Sequence, residues 1–421
     1  MTRKHLPFLQ ACCFLSLFLA AQQCLAAGFY ISEVGTPGSL GTAGVANPVN
    51  TFTADSSWTN PAGMTGLQGD RVLGGVTLLV PKIEFEASFA GAGGSNGGNA
   101  GDLTAIPSLF YVKKISDRSR FGLSTVVPLG GSVDYGRNFV GRYSAYEVSL
   151  SAVSLSPSYA YKVNDKLSLG AGVSVVYSLL EMEIAVNRVP IAGPGAADGY
   201  AIMEEMDDLG YQPFFGLTYK INDKNLFGLV YRAEADTDLE GDLRFENMPV
   251  VGPAVRPVDV SWDNPQWLEV GLRHELKDGL FLALNAGWQE WSVFSEQITI
   301  DPLNLATNPT VNKHRNFDNT WHAGVAIGHL SHDRSWSLGF SYDSSPVEDE
   351  HRSIDLPFDE QYKLSGSYVW RKSEKLAFSI GSTLVYLGDA KIDQVAQGVR
   401  FAGEFDNNYI LMLGGTVGYR F

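Results

Sequence analysis

Residues 167–179 set the pattern for most of this chain. Leu167, Leu169, Ala171, Val173, Val175, Tyr177 and Leu179 alternate with Ser168, Gly170, Gly172, Ser174, Val176 and Ser178. One face is apolar and the other small and mostly polar, which is a period of two and therefore a strand. Soluble strands usually stop at about 5–6 residues, whereas a tilted strand needs about 9–11 to cross a bilayer. The last residues repeat the pattern: Tyr409, Leu411, Leu413, Gly415, Val417, Tyr419 and Phe421 alternate with Met412, Gly414, Thr416, Gly418 and Arg420. Beyond residue 26 there is no apolar run of helical-span length, so any crossing is by strands.

Turn chemistry punctuates the strands. Short polar connectors stand at Ser116–Ser119, Val163–Lys166, Ile221–Lys224, Leu276–Gly279, Ser331–Arg334 and Lys372–Lys375. Between them fall longer connections near 87–102, 135–141, 181–208, 245–258, 301–316, 344–357 and 389–404. Six turns and seven loops join fourteen strands. Short turns alternating with long loops is the asymmetry of an outer-membrane barrel. The expected fold is thus all-β: a 14-stranded antiparallel transmembrane β-barrel over residues 70–421. Tryptophans 262, 267, 288, 291, 321, 336 and 370 lie near strand ends, where amphipathic rings mark the headgroup level. The competing architecture, a soluble β-sandwich, leaves the strand lengths and the terminal aromatic Phe421 unexplained.

Two segments precede the barrel. Residues 1–26 read as a signal peptide: Arg3 and Lys4, an apolar centre around Phe14–Ala21, and small residues before Ala27. Residues 27–69 have neither period. Five glycines (28, 35, 38, 41, 44) and few charges suit a compact irregular segment held inside something else. That segment is the expected N-terminal hatch, plugging the barrel.

Composition agrees. The three cysteines, 12, 13 and 24, all lie in the leader, so the exported chain has no disulfide to make. The formal charge is −15, and loss of Arg3 and Lys4 takes it to −17, which argues against a nucleic-acid partner. An enzyme is not expected. The nearest approach to a nucleophile elbow, Gly339–Asp343, lacks its second glycine. His322, His329 and His332 differ in parity along a strand and its turn, so no metal site is expected. Gly91–Gly98 lacks the lysine of a phosphate loop. No cofactor is implied. The loop 181–208 is unusually apolar, with Ile184, Val189 and Ile191 beside Arg188, and apolar loops mark binding sites.

Several motifs together resemble one family. Ala27–Phe29, Asn60–Pro61–Ala62, Pro157–Lys162, Tyr231–Arg232 with Leu239–Gly241, Trp288–Ser292, Asp343–Val347 and the terminal aromatic occur in the order and spacing of the FadL/TodX outer-membrane transporters of long-chain fatty acids and other hydrophobic compounds. The resemblance implies a hatch with Asn60, Pro61 and Ala62 at its signature. It implies ligand capture by outer loops and a pocket beside the hatch N-terminus, near Phe29 and Tyr30. It also implies a lateral exit through a kink in strand three. Pro128, Gly130 and Gly131 interrupt the third predicted strand, and a proline there removes a ladder donor. The family lysine that meets a fatty-acid carboxylate maps to Lys313; its companion arginine does not transfer, since Glu183–Ala185 stands in that place. The expected ligand is therefore a fatty acid first, a monoaromatic or alkane hydrocarbon second. The expected partners are that ligand, outer-membrane lipid and, through Phe421, the assembly machinery. A water-filled porin, or an adhesin or phage receptor using the loops, are the competing classes.

Overall fold

The structure, a computed structural model, describes residues 37–248, 255–294, 296–300 and 310–421, with the backbone alone for 296–300 and 310–314. The leader and the start of the expected hatch, with Phe29 and Tyr30, lie outside the described residues.

Twenty-one strands are described. In chain order they are β1 (Arg71–Lys82), β2 (Phe85–Ala90), β3 (Thr104–Lys114), β4 (Ser119–Asp134), β5 (Glu147–Lys162), β6 (Leu167–Val186) and β7 (Gly199–Asn222). Then come β8 (Asn225–Arg232), β9 (Asp238–Glu246), β10 (Val255–Ser261), β11 (Trp267–Lys277), β12 (Leu280–Gln289), β13 (Glu296–Ile300) and β14 (Thr310–His314). The last are β15 (Thr320–His329), β16 (Arg334–Asp343), β17 (Gln361–Arg371), β18 (Leu376–Tyr386), β19 (Ala390–Ala396), β20 (Val399–Phe405) and β21 (Tyr409–Arg420).

Fourteen of these close on themselves in the order β1, β3, β4, β5, β6, β7, β8, β11, β12, β15, β16, β17, β18, β21. Every neighbouring pair is antiparallel. The seam is a full ladder from Arg71↔Arg420 to Lys82↔Tyr409, so the closed sheet has no free edge. All six expected short turns lie at one end. The other seven strands extend the opposite end: β9 and β10 continue the sheet from β7, β13 pairs β14, and β2 joins β19 and β20.

The alternation read from the sequence is the alternation of lipid and lumen. Val76, Leu78, Val80, Leu338, Phe340, Leu364, Leu413 and Val417 point outward and are exposed. Between them Ser337, Ser341, Ser365, Thr383 and Thr416 point inward and are buried. Apolar side chains outside and small polar ones inside is stable only where the outside is hydrocarbon. Trp321, Trp336 and Trp370 are outward and exposed, as girdle residues are. Trp262, Trp267 and Trp291 are buried instead, because they serve the lumen and the outer layer.

One boundary differs from expectation. The loop expected over 181–208 is mostly sheet: β6 runs to Val186 and β7 starts at Gly199. β7 pairs with β8 from Phe214 to Asn222 but with β9 from Tyr200 to Asp207. The switch follows an irregularity between Glu204 and Asp207, where Glu205 takes φ +54°. Apolar residues above the bilayer therefore cover a second core and not a loose loop.

Candidate functional site

Residues 37–69 lie inside the barrel as short helical turns at Pro37–Leu40, Asn47–Val49, Ser56–Thr59 and Pro61–Gly66. Glycines on the inner face of the wall make room for them. A Cβ on Gly216 would lie 2.1 Å from Asn60 Oδ1, one on Gly170 2.5 Å from the Ala62 amide, and one on Gly228 1.9 Å from the Pro48 carbonyl oxygen. Asn60 is the latch. Its Nδ2 donates to the carbonyls of Pro48 (2.6 Å) and of Leu217 on β7 (3.2 Å), and its Oδ1 accepts from the Ala62 amide (3.1 Å). Pro61 follows at the first helical position, where its missing N–H costs nothing.

Wall side chains satisfy further hatch carbonyls. Ser158 Oγ donates to Ser57 O, Thr383 Oγ1 to Leu40 O, Arg120 to Leu67 O and Arg273 to Val49 O. Arg232, fully buried, donates to Ser174 Oγ and to Trp58 O, with its guanidinium 4.2 Å from the Phe214 ring centroid and 4.7 Å from that of Trp58. A buried guanidinium between rings and carbonyls is matched on each face. On the other side Ala54, Trp58, Met64 and Leu67 pack on Leu73, Phe110, Val112, Val126 and Ala160 of the wall.

Just above that apolar contact the wall is unpaired. The β3–β4 ladder runs from Lys114↔Arg120 to Leu109↔Thr125 and stops. It is bridged again only near the outer end, where the Asp134 amide donates to Ala100 O at 2.9 Å. β4 itself continues along β5, through a bulge between Val126 and Leu129 that contains Pro128. The interruption expected at Pro128, Gly130 and Gly131 is thus a bulge in a continuous strand, and the break lies in its pairing with β3. Pro107 on β3 and Pro128 on β4 flank the unpaired stretch, and neither has an N–H to leave unsatisfied.

Behind this window lies a cavity with about 780 Å³ of empty space, its open mouth included. Gly130, Gly131 and Val133 of β4 form one wall, with Val148, Leu150, Leu180 and Met182 beyond them. Val260, Trp262, Leu356, Phe358 and Leu387 close the far side. Its charged members are a matched pair: Arg315 Nη2 and Asp355 Oδ2 stand 2.7 Å apart, both buried, with Ser353 Oγ accepting from Arg315 at 3.1 Å. Burial alone would push the Asp355 carboxyl up; the Arg315 charge and hydrogen bond, with Ser353 and the backbone, outweigh it and hold it below the ordinary carboxylate range.

The family model for outer membrane protein transport proteins (OMPP1/FadL/TodX) matches residues 17–421. The chain belongs to this family. The long-chain fatty acid transport protein of Salmonella typhi is 21% identical over 419 residues, covering 94% of this chain and 95% of that protein. Outer membrane protein P1 of Haemophilus influenzae is 24% identical over 315 residues, covering 66% of this chain and 68% of that protein. Among solved structures, a Pseudomonas aeruginosa FadL homologue superposes with a TM-score of 0.82 at 21% identity, covering 94% of this chain and all of that one. The toluene transporter TodX of P. putida superposes with a TM-score of 0.67 at 17% identity, covering 94% and 99%. As a FadL/TodX protein with a closed barrel, the chain is a multi-pass outer-membrane protein, with short turns toward the periplasm and loops outside.

Placed in this FadL/TodX frame, the residues singled out in the sequence separate. Asn60, Pro61 and Ala62 meet at the latch, and Gly130 and Gly131 line the cavity with Pro128 at its bulge. Ile184 is buried in the outer core. Arg188, Val189 and Ile191 form a helical turn beyond β6; Val189 and Ile191 are exposed, and none of the four lines the cavity. Lys313 is on β14, where the backbone alone is described. His322 faces the lumen near Glu269 (3.6 Å), His329 meets the Asp278 carbonyl, and His332 is in a periplasmic turn. Sequence reasoning missed Arg315 and Asp355, and took Trp262, a cavity-lining residue, for a girdle residue. Arg315 stood two residues from Lys313, but its partner is 40 residues away in an unrelated loop.

Proposed function

We propose that this protein takes up a hydrophobic small molecule across the outer membrane, a long-chain fatty acid first of all. The route runs from the outer cavity through the β3–β4 window into the membrane. The observation that carries it is the unpaired stretch between Leu109↔Thr125 and the Ala100–Asp134 bridge, with the apolar cavity directly behind it. Unpaired backbone at membrane depth is tolerated where it lines a cavity, and an apolar ligand leaving sideways never enters water. The ligand class agrees with the fatty acid transport proteins that this chain resembles. In this reading Lys313 meets the carboxylate, Phe29 and Tyr30 border the pocket, and Val189 and Ile191 offer an apolar surface for first capture.

A second reading, uptake of a monoaromatic or alkane hydrocarbon, rests on Arg315 and Asp355. They neutralise each other at the cavity wall, so an uncharged ligand loses nothing by entering. The toluene transporter among the structural relatives is consistent with it.

Gly130→Phe tests the route. It fills the window side of the cavity while leaving the hatch and the β5 ladder in place. Uptake of radiolabelled oleate and of toluene by cells carrying the variant should fall severalfold, with normal surface abundance and normal oleate binding to the purified protein. Unchanged uptake of both would refute the lateral route; loss of one alone identifies the ligand.

A further inference from the structure

At the periplasmic end, beneath the hatch, the barrel opens into a second and larger cavity, with about 1270 Å³ of empty space including its mouth. Its charge is the reverse of the molecule's. Arg71, Arg273, Arg371, Lys375 and Arg420 line it, and Glu374 is the one carboxylate among the described lining residues. The whole chain carries −15. Arg71, Arg371 and Arg420 are each the last inward-facing residue of their strands, β1, β17 and β21, whereas on β11 Arg273 is followed on the same face by Glu275, 3.8 Å away. Three strands thus end in the same cation on the same face.

Arg273 has a structural task, since it holds Val49 O and stacks 4.3 Å from the centroid of Phe52. Arg71 and Arg420 lie at the foot of the hatch, where Arg71 meets its end at Gln68. They stand directly opposite in the β1–β21 register, and like charges so placed repel. Arg71 donates to Gln68 O (3.2 Å), and Arg371 to the carbonyls of Ser331 and His332, so neutral groups and not acids meet them. Guanidinium does not lose its proton, so the cluster cannot relieve itself by titration. Among the serines and threonines of the wall (Ser337, Ser367, Ser379, Thr416), Leu73, Phe281 and Val369 supply apolar surface, with Phe52 of the hatch exposed into the space.

We propose that this vestibule is a second binding site, for an anionic amphiphile: a carboxylate or phosphate head held by Arg71, Arg420 and Arg371, with its acyl chain against Phe52 and Leu73. The cations in the mouth bind the head by charge-assisted, bidentate hydrogen bonds, and Phe52 and Leu73 cover part of the chain from water. A free fatty acid and an anionic phospholipid of the inner leaflet share this chemistry. The site does not depend on the lateral route, because it lies on the other side of the hatch.

The test is photo-crosslinking of the full-length protein in non-ionic detergent. Three probes carry a diazirine in the acyl chain: stearate, its methyl ester, and phosphatidylglycerol. Labelled peptides are located by mass spectrometry in the parent and in Arg71→Gln/Arg420→Gln. Stearate, phosphatidylglycerol or both should label the peptides of Phe52 and Leu73; which of them does so identifies the source. The ester should label there about tenfold less, and so should either acid on the double variant, as expected for two lost charge-assisted contacts. Labelling of the outer cavity at Val148 and Leu150 should be the same in both proteins. Equal labelling by ester and acid, undiminished labelling of the double variant, or no labelling of the vestibule by either acid overturns the proposal. If the double variant does not fold, judged by its migration on unboiled gels, the parent's acid-to-ester ratio and its fall with added salt decide instead.

Discussion

The hatch is held by fit as much as by bonds, and Gly216→Val measures how much. Gly216 on β7 faces Gly170 on β6, and Pro61 and Asn60 occupy the groove they leave. A Cβ at 216 would stand 2.1 Å from Asn60 Oδ1 and 2.7 Å from Pro61 Cδ. Asn60 cannot simply swing away, because its amide is committed to Pro48 O, Leu217 O and the Ala62 amide. Overpacking of this kind costs about 1–3 kcal/mol. Three displaced hydrogen bonds contribute roughly 0.5–1.5 kcal/mol each, and part of that is recovered by relaxation. The docking of residues 55–67 should therefore weaken by about 2–4 kcal/mol. Valine suits a strand, and the β6–β7–β8 ladders stay intact, so the barrel should not weaken with it. Hydrogen exchange of the purified protein in detergent reads the two separately. Amides of 55–67 should exchange about thirty- to several-hundred-fold faster, while those of β6 and β7 keep their protection. Unchanged protection of 55–67 would refute the close-fit argument, and loss of protection in hatch and barrel together would refute their independence.

Two further outcomes follow from the wall and the outer cavity. Leu169→Arg places a charge on the outward face of β6 and should cost about 2–4 kcal/mol if it lies near the bilayer midplane, measured by reversible unfolding in lipid vesicles; a cost below about 1 kcal/mol would mean that it does not face hydrocarbon. Asp355, with its carboxyl held down, contributes stability that is complete above the ordinary carboxylate value of 3.8 and is lost as pH falls through its lower folded value. Tryptophan emission, reporting on Trp262 and Trp291, should be flat from neutral pH to about 5 and shift only in stronger acid; Asp355→Asn should abolish that step and loosen the outer layer already at pH 7, and a step that persists in the variant would remove Asp355 as its cause.

The barrel was legible in the sequence because its rule is local. Each strand alternates on its own evidence, and each turn carries its own Asn, Asp or Gly, so strand number follows from counting connections. Of the inner glycines, Gly170 was visible as a small residue on the polar face of its strand, but not its purpose, which needs the hatch in place. The outer layer was misjudged where strands outrun the membrane. Ile184 looked like an apolar loop residue, whereas β6 carries it up into a second core with β7 and β9. Nothing in a period-two pattern marks where the bilayer ends, so a long strand and a short strand with an apolar loop read alike.

The window was half legible, and the missing half is instructive. Pro128 and two glycines announce trouble in β4, because a residue without a donor cannot complete a ladder on both sides. A proline cannot announce which neighbour is abandoned. β4 keeps β5, through the bulge, and gives up β3 beyond Leu109↔Thr125. The reason lies on the other strand: Pro107 removes a donor from β3 at the height where the two strands separate, and β3 keeps its register with β1 there, Val76↔Pro107 included. With a proline on each bank, the open stretch leaves fewer donors unsatisfied than the same stretch without prolines would. Trp58, Met64 and Leu67 of the hatch pack on Phe110 and Val126 immediately below it, an apolar contact at the foot of the gap. On the proposed lateral route the two prolines lower the backbone cost of the opening, and an apolar ligand leaving there would pass from cavity to hydrocarbon without entering water.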